Sequence, residues 1–286
     1  MSIRRRRPSG ALADVVGHLI AANDEWMVVL PEDRAAEWVP RSEVQAVRRV
    51  PERTVLPSSA PDALQRVLDL TWPGLRRGRL GGWTVRVGRG RTHRANSVLA
   101  VGEAGLPLAE AGLLAAEWAG VRLPLQAVRG SRIFDEALAL GWTVEFPTLV
   151  LVAEASAIEG PDDPGTATDD PDAAWLAVHR GGEIDRERLA EVTSAPARYL
   201  RVGEHAVGRV ALARGWAVLS CVEVAPEARG SGQGRAVTRA LVAEAVRLGA
   251  RHVALQVEDD NAPARRLYES EGFADHHAYA YLSHAP

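Results

Sequence analysis

The spacing of apolar positions changes along the chain and divides it into three regions. In the first region, residues 1–57, short apolar runs alternate with polar turns, as at residues 15–20, 26–30 and 37–40. Runs of this length between polar turn residues are typical of short strands. The pattern therefore predicts a small β-barrel over residues 1–57.

In the second region, residues 58–155, helical and strand periodicities alternate. Apolar residues at helical spacing predict helices over 63–70, 106–118 and 133–140. Short apolar runs predict strands over 83–87, 97–101, 123–128 and 143–152. Alternating helices and strands indicate an α/β or α+β domain, not an all-β one.

An acidic segment rich in proline and glycine, residues 156–172, precedes the third region, residues 173–286. It has too little apolar surface to offset its ordering entropy, so we expect a flexible linker. In the third region the same spacing rules predict helices over 184–192, 234–248 and 262–270. They predict strands over 198–202, 206–213, 216–224, 252–257 and 277–282.

Composition narrows the class of protein. The chain is 47% hydrophobic and 25% charged, with no apolar run near the roughly 18 residues that a membrane span needs. The basic run from Arg4 to Arg7 leads into Pro8 and Gly10 and not into an apolar segment, so we expect no signal peptide. We interpret the run as a solvated tail, with a nucleic-acid contact as the alternative. The net charge of −3 gives no general attraction to nucleic acid. Cys221 is the only cysteine, which excludes an internal disulfide and a cysteine metal cluster, so we expect a cytoplasmic protein with no metal.

A glycine-rich segment joins the strand predicted at 216–224 to the following helix, with glycines at 230, 232 and 234. Such a segment converges backbone N–H groups at a positively polarised helix N-terminus, where they can bind an anion. The chain has no lysine for a Walker loop, and the glycine spacing does not fit the Rossmann pattern. On this feature alone, a diphosphate cradle and a structural tight turn both stay open.

Two motifs in this region resemble those of the GNAT N-acetyltransferase superfamily. The family signature Q/R-x-x-G-x-G/A is matched by Arg229-Gly230-Ser231-Gly232-Gln233-Gly234. The family segment N-x-x-A-x-x-L-Y-x-x-x-G-F is matched from Asn261 to Phe273. The resemblance implies an α+β fold, a mixed sheet with flanking helices, and acetyl-CoA as co-substrate of a catalytic domain over residues 173–286.

Residues 58–155 resemble a degenerate copy of the same fold, because the order of elements repeats and Leu140-Gly141-Trp142 resembles Glu271-Gly272-Phe273. This copy lacks the glycine signature, so we expect it to bind no pyrophosphate. Tandem GNAT halves of this kind resemble mycothiol synthases. The whole layout resembles actinobacterial GNAT proteins with an N-terminal SH3-like barrel.

The resemblance also implies residue roles. Backbone groups of Val222 and Val224 would hold the acetyl and pantetheine end of acetyl-CoA, and Asn261 would contact the pantetheine arm. The signature residues would take the pyrophosphate; these are Arg229, Gly230, Ser231, Gly232, Gln233, Gly234 and Arg235. Tyr268 would protonate the departing thiolate, with aromatic packing as the alternative.

Acetyl transfer also needs a base that removes a proton from the attacking amine. Glu223 is our first candidate, because it alternates with Val222 and Val224 on the central strand; the alternative is a carboxylate paired to an arginine or lying at the strand end. Some family members carry a glutamate on the next strand, but Gln256 occupies the comparable position here. Further candidates are Glu258, His276 and His277, while for Cys221 we expect packing and not an acetyl-cysteine.

Two classes of function follow. The first is an N-acetyltransferase that acts on a primary amine of a small molecule or a protein by direct attack. The second is an acetyl-CoA sensor or interaction module without turnover. In both, acetyl-CoA is a partner; the sequence indicates no membrane partner and leaves the oligomeric state open.

Overall fold

The computed structural model of the chain describes residues 1–31, 35–50 and 54–284, so parts of the predicted barrel region and residues 285–286 lie outside it. The N-terminal region forms two three-stranded antiparallel sheets, ordered β2-β1-β6 and β3-β4-β5. Their strands are β1 (Ser2–Arg6), β2 (Leu12–Val16), β3 (His18–Ala22), β4 (Trp26–Leu30), β5 (Glu37–Pro40) and β6 (Val44–Arg48). Both sheets contribute to one core that contains Ile3, Val15, Met27, Val29 and Val39. A small antiparallel β region is therefore present, and its likeness to an SH3 domain stays a prediction.

The arginine run at the N-terminus is part of this region and not a solvated tail, so that prediction was wrong. Strand β1 pairs with β2 on one side and β6 on the other. Arg4 donates two hydrogen bonds of 2.9 Å to Asp14, and Arg5 donates one of 2.9 Å to Glu37. Fully buried Ile3 anchors the strand. Asp14 on the neighbouring strand β2 and Glu37 on β5 of the other sheet compensate the charges of Arg4 and Arg5.

The rest of the chain forms one eleven-stranded sheet with helices on its faces, ordered β12-β13-β14-β15-β16-β11-β17-β10-β9-β8-β7. The first half supplies α1 (Pro61–Thr71), β7 (Arg76–Leu80), β8 (Trp83–Val87), β9 (Ser97–Leu99), α2 (Leu108–Ala119), β10 (Leu125–Val128), α3 (Arg132–Ala139) and β11 (Thr143–Glu154). The second half supplies β12 (Thr166–Thr168), α4 (Ala173–Val178), α5 (Arg186–Val192), β13 (Arg198–Val202), β14 (Ala206–Ala213), β15 (Trp216–Val224), α6 (Gln233–Arg247), β16 (His252–Glu258), α7 (Ala262–Ser270) and β17 (Ala274–Ser283). Among the described residues, no helix is long and apolar enough to cross a membrane.

The two halves exchange their last strands. Strand β11 of the first half pairs with β16 of the second half, while β17 pairs with β10 of the first half and also with β11. Parallel pairs occur at β9 with β10 and at β15 with β16, so the sheet is mixed, as the resemblance predicts. The halves therefore share a single sheet instead of forming two separate ones.

The segment predicted as a flexible linker is partly ordered. Strand β12 pairs with β13 at the edge of the sheet, with Thr168 opposite Tyr199. Backbone hydrogen bonds alone can add such an edge strand, and they need no apolar side chains. The sequence criterion for a linker, a lack of apolar periodicity, does not detect this pairing.

Different cores cover the two faces of the second half of the sheet. One core joins α6 and α7 to the sheet through residues such as Val237, Leu241 and Tyr268, and Val222 and Val224 pack against it. Another core contains Trp72, Trp175 and Val192, and Cys221 and Ala225 pack against it. The C-terminal end of β15 thus contacts helices α6 and α7 on one face and residues of both halves on the other.

Candidate active site

The sheet opens between β15 and β16. The two strands pair from Trp216 opposite His252 to Leu219 opposite Leu255, and both continue beyond that point without pairing. Cys221 has a positive φ of 52°, and the register with β14 shifts at the same level. A bulge of this kind bends a strand away from its partner. The result is a gap in the middle of the sheet, at the C-terminal ends of two parallel strands.

A cavity of about 600 Å³ occupies this gap. Asn261, Ala264 and Tyr268 from α7 line it on one face of the sheet. On the opposite face it is bounded by what we call the far wall, which consists of Trp72, residues 91–94, His179, Arg180 and Arg188. Because residues of both faces line the same cavity, two substrates could approach the gap from opposite sides.

The glycine-rich loop, which we call the cradle, follows the C-terminal end of β15. Gly232 caps the N-terminus of α6 with a φ of +86°, a conformation that favours glycine. A Cβ atom on Gly234 would lie 3.1 Å from Leu267 Cδ2, a tight contact, so glycine at this position favours the close approach of α6 to α7. Within the described residues, none of the backbone N–H groups from Gly230 to Arg235 donates a hydrogen bond to the chain. These N–H groups suit a diphosphate.

Several side chains of the signature bond to the protein itself. The Nε atom of Arg229 donates to the carbonyl oxygen of Val224 at 3.3 Å, and Ser231 Oγ donates to the carbonyl oxygen of Ala228 at 2.6 Å. Arg235 Nε donates to Glu271 at 2.7 Å, which ties α6 to the end of α7. The Oε1 atom of Gln233 is buried without a hydrogen-bond partner. The backbone of the loop, more than its side chains, is thus available to an anion.

The backbone of Val224 faces the gap. The N–H of Ala225 donates to the carbonyl oxygen of His205 at 2.8 Å, on the side of β14. Because backbone groups alternate in direction along a strand, the N–H and C=O of Val224 point the other way, as do those of Val222. The contact of Arg229 with the Val224 carbonyl agrees with this direction. An N–H group at this position could stabilise an oxyanion.

Tyr268 and Asn261 approach the cavity from α7. Tyr268 is 7% exposed, its ring meets Phe273 edge to face, and its hydroxyl forms no hydrogen bond with the described residues. Burial raises the pKa of Tyr268 to about 12, so the hydroxyl keeps its proton at neutral pH and can donate it. Asn261 caps α7, with Oδ1 accepting the N–H of Ala264 at 3.2 Å. Both roles predicted for these residues stay predictions.

Glu223 lies on the opposite face from Tyr268. Its Oε2 accepts the backbone N–H of Arg180 at 2.9 Å and lies 3.2 Å from His179 Nδ1. Burial raises the pKa of Glu223, but the contacts with His179 and with the N–H of Arg180 outweigh this effect and hold it below its ordinary value of 4.5. The carboxylate is therefore charged at neutral pH and is a weak base by itself.

The other candidates differ in position. Glu258 lines the cavity from an exposed position, whereas Gln256 Oε1 accepts a 2.7 Å hydrogen bond from the hydroxyl of Tyr279. His276 and His277 contact each other, and His277 Nε2 lies 2.9 Å from Gln65 on α1, outside the lining of the cavity. Burial raises the pKa of the Cys221 thiol, which disfavours the reactive thiolate.

Sequence reasoning missed the loop between β8 and β9, residues 88–96, and the residue that holds it. Glu191 on α5 is fully buried. It accepts hydrogen bonds from the N–H of Arg89 (2.5 Å) and Arg91 (3.1 Å), Thr92 Oγ1 (2.7 Å) and Asn96 Nδ2 (2.9 Å). The first half thereby contributes residues 91–94 to the far wall. Gly88 and Gly90 indicate a loop in the sequence, but nothing in the sequence points to its partner about 100 residues later.

Comparison with known proteins identifies the fold and the family of this chain. A GCN5-related N-acetyltransferase from Kribbella flavida superposes with a TM-score of 0.59 at 17% identity, covering 80% of this chain and 97% of that structure. This similarity shows that the fold is of the GNAT type. Residues 62–282 match the family described as "Probable histone acetyltransferase Rv0428c C-terminal", and the chain belongs to this family.

Two curated relatives agree with this assignment. The probable histone acetyltransferase Rv0428c of Mycobacterium tuberculosis is 29% identical over 293 aligned positions, which cover 99% of this chain and 93% of that protein. The mycothiol acetyltransferase of Geodermatophilus obscurus is 51% identical over 51 residues, 18% of this chain and 17% of that protein. The first similarity extends over the N-terminal β region as well as the shared sheet.

Proposed function

We propose that the chain transfers the acetyl group of acetyl-CoA to a primary amine by direct attack. The observation that supports this most is the gap beyond the Leu219–Leu255 pair, which joins Tyr268 on one face to Glu223 on the other through one cavity. The backbone N–H groups from Gly230 to Arg235 suit the diphosphate of acetyl-CoA, because they have no partner among the described residues.

The chain's own residues suit each step of acyl transfer. The amine must lose a proton and attack the thioester carbonyl; the carboxylate of Glu223, with His179 beside it, could take that proton. The N–H of Val224 could bind the developing oxyanion in the gap. When the carbon–sulfur bond breaks, the hydroxyl of Tyr268 could give its proton to the thiolate.

The test is release of CoA from acetyl-CoA by the purified chain, measured against amino acids, polyamines, aminoglycosides, mycothiol precursors and lysine peptides. We expect saturable release with at least one amine, and an N-acetylated product by mass spectrometry. Saturable acetyl-CoA binding without turnover on any amine would favour a sensor instead. The same assay without an amine corrects for hydrolysis of the thioester.

A further inference from the structure

The far wall of the cavity carries an excess of positive charge. Four arginines line the cavity, Arg91, Arg94, Arg180 and Arg188, together with the carboxylates of Glu223 and Glu258. Arg91 is neutralised by Asp185 at 2.9 Å and Glu187 at 2.7 Å. Within the described part of the chain, no carboxylate forms an ion pair with the other three. Arg180 is close enough to Glu223 for its charge to help lower the pKa of that carboxyl. The charges of Arg94 and Arg188 are therefore the ones that face the cavity without a protein counter-ion.

Arg94 has a defined position in this wall. Its guanidinium lies over the ring of Trp72 at 5.2 Å, and the guanidinium of Arg209 lies over the same ring at 4.8 Å. Both positive charges lie near Cys221, where the sheet opens. Burial raises the pKa of the Cys221 thiol, and the charges of Arg209 and Arg94 lower it in part. Two guanidinium groups thus contact the indole ring of Trp72 at the gap.

Arg209 is fully buried and also lacks a carboxylate partner. Its Nη atoms donate to the carbonyl oxygens of Thr71 (3.1 Å) and Ala195 (3.3 Å) and to Ser220 Oγ (3.3 Å), while its Nε is buried without a partner. The buried carboxylate of Glu191 is already occupied by the 88–96 loop. A buried charge without a counter-ion is costly, and an anion in the adjacent cavity would offset that cost.

We propose, as an extension of the proposed acetyltransferase function, that the acceptor is a small amine that also carries a carboxylate or a phosphate, held by Arg94 with Arg188. The planar guanidinium matches both anions through paired N–H donors. The cavity volume of about 600 Å³ is in the range of small-molecule sites. A lysine in a basic peptide would instead add positive charge to a wall that already has an excess of it.

The test uses matched amines that differ in charge. Phosphoethanolamine is compared with ethanolamine, β-alanine with β-alaninamide, and both pairs with a lysine-rich peptide, after correction for the fraction of neutral amine. We expect kcat/KM to be at least about tenfold higher for the anionic member of one pair, equivalent to about 1.4 kcal/mol. The pair that shows the preference identifies the anion as phosphate or carboxylate.

Arg94→Gln should remove this preference without changing the affinity for acetyl-CoA. Arg89→Gln is the matched control, because it removes the same charge from the same loop at an exposed position outside the cavity lining. The preference should survive in this control. Equal kcat/KM within both pairs, or a preference for the lysine-rich peptide, would overturn the proposal.

A binding measurement separates this inference from the proposed function. The chain is saturated with CoA, which blocks transfer, and the same matched amines are titrated by calorimetry. Tighter binding of the anionic member, lost in Arg94→Gln, supports the inference even if no amine is acetylated. Turnover together with equal affinity of charged and uncharged members would retain the acetyltransferase and reject the anionic acceptor.

Discussion

The hydroxyl of Thr92 donates a 2.7 Å hydrogen bond to the carboxylate of Glu191, which joins the 88–96 loop of the first half to α5 of the second. Through this contact the first half, which has no glycine signature, contributes residues to the cavity. It supplies Trp72 and residues 91–94 to the wall opposite Tyr268. The two halves therefore contribute to different sides of one cavity.

Replacing Glu191 by glutamine tests this relationship. A carboxamide has one acceptor oxygen, and its NH₂ group would face N–H donors of the loop, so we expect a loss of about 1–3 kcal/mol in the free energy of unfolding. The KM for the acceptor amine should rise, because the loop is displaced, while the Kd for acetyl-CoA stays unchanged. Denaturant unfolding, steady-state kinetics and calorimetry measure the three quantities.

Glu187→Gln is the control for this variant. Glu187 lies on the same helix and forms an ion pair with Arg91, but its side chain is 51% exposed. Exposed pairs of this kind contribute about 0–1 kcal/mol, so stability should change little. Equal effects of the two substitutions would show that Glu191 does not position the loop.

A second prediction concerns Gly232, which begins α6 with a φ of +86°. Gly232→Asp places a carboxylate among the free N–H groups of the cradle, and we expect it to abolish acetyl-CoA binding while the chain still folds. Calorimetry measures the affinity.

Gly249→Asp is the matched control, because Gly249 has a φ of +89°, equally open surroundings, and a position just past the other end of α6. Wild-type affinity in Gly232→Asp, or loss of binding in both variants, would contradict the assignment of the cradle.

The parts of the fold that the sequence predicted well are those with local signals. The bounds of β13, β14, β15 and α7 agree with the periodicity, because each is bounded by turn or cap residues. The cradle could be predicted from the sequence because its residues lie within one short segment. Strand β1 was missed because its arginines hide the strand pattern.

The remaining features depend on contacts between residues distant in the chain. The exchange of β11 and β17 between the halves depends on which strands pair with them. The strands of the two halves have similar apolar patterns, so the sequence does not show which half each of these strands joins. Glu191 occupies a polar position of an amphipathic helix, which normally faces solvent. Its burial arises from donors in a loop of the other half, and no local property of the sequence reveals them.

A third prediction concerns pH. Burial lowers the pKa of His277 to about 3, from an ordinary value of 6.5. Below pH 6.5 the unfolded chain therefore binds a proton at His277 that the folded chain does not. The contribution of His277 to stability falls as the pH falls from 6.5 towards 3, by up to about 1.4 kcal/mol per pH unit. His277→Gln should reduce the slope of stability against pH in this window. Urea unfolding at several pH values measures the slope, and His18→Gln, at an exposed position in the N-terminal region, is the control. An unchanged slope in His277→Gln would show that this ring does not resist protonation.

The last prediction separates the two readings of Tyr268. Tyr268→Phe keeps the ring and its contact with Phe273 but removes a hydroxyl that has no partner among the described residues, so stability and acetyl-CoA affinity should barely change. If the hydroxyl protonates the thiolate, turnover should fall about 10²- to 10⁴-fold, the range typical of general acid catalysis. Tyr199→Phe should behave in the opposite way. Tyr199 does not line the cavity, and its hydroxyl donates to the carbonyl oxygen of Val192 at 3.1 Å, so the variant should lose about 1 kcal/mol of stability and keep its turnover.

The pH dependence of turnover gives a second measure of the same role. Because burial raises the pKa of Tyr268 to about 12, the acid stays protonated up to about pH 10, and rising pH should increase the rate as the amine loses its proton. The steady-state rate of CoA release by the wild type should therefore rise from about pH 6 to about pH 10 and should not fall again at the basic end. Tyr268→Phe should show the same pH dependence at a uniformly lower rate. Turnover in Tyr268→Phe within a few-fold of the wild type would leave the residue as a core aromatic, and a loss of rate matched by a loss of stability would assign the effect to folding.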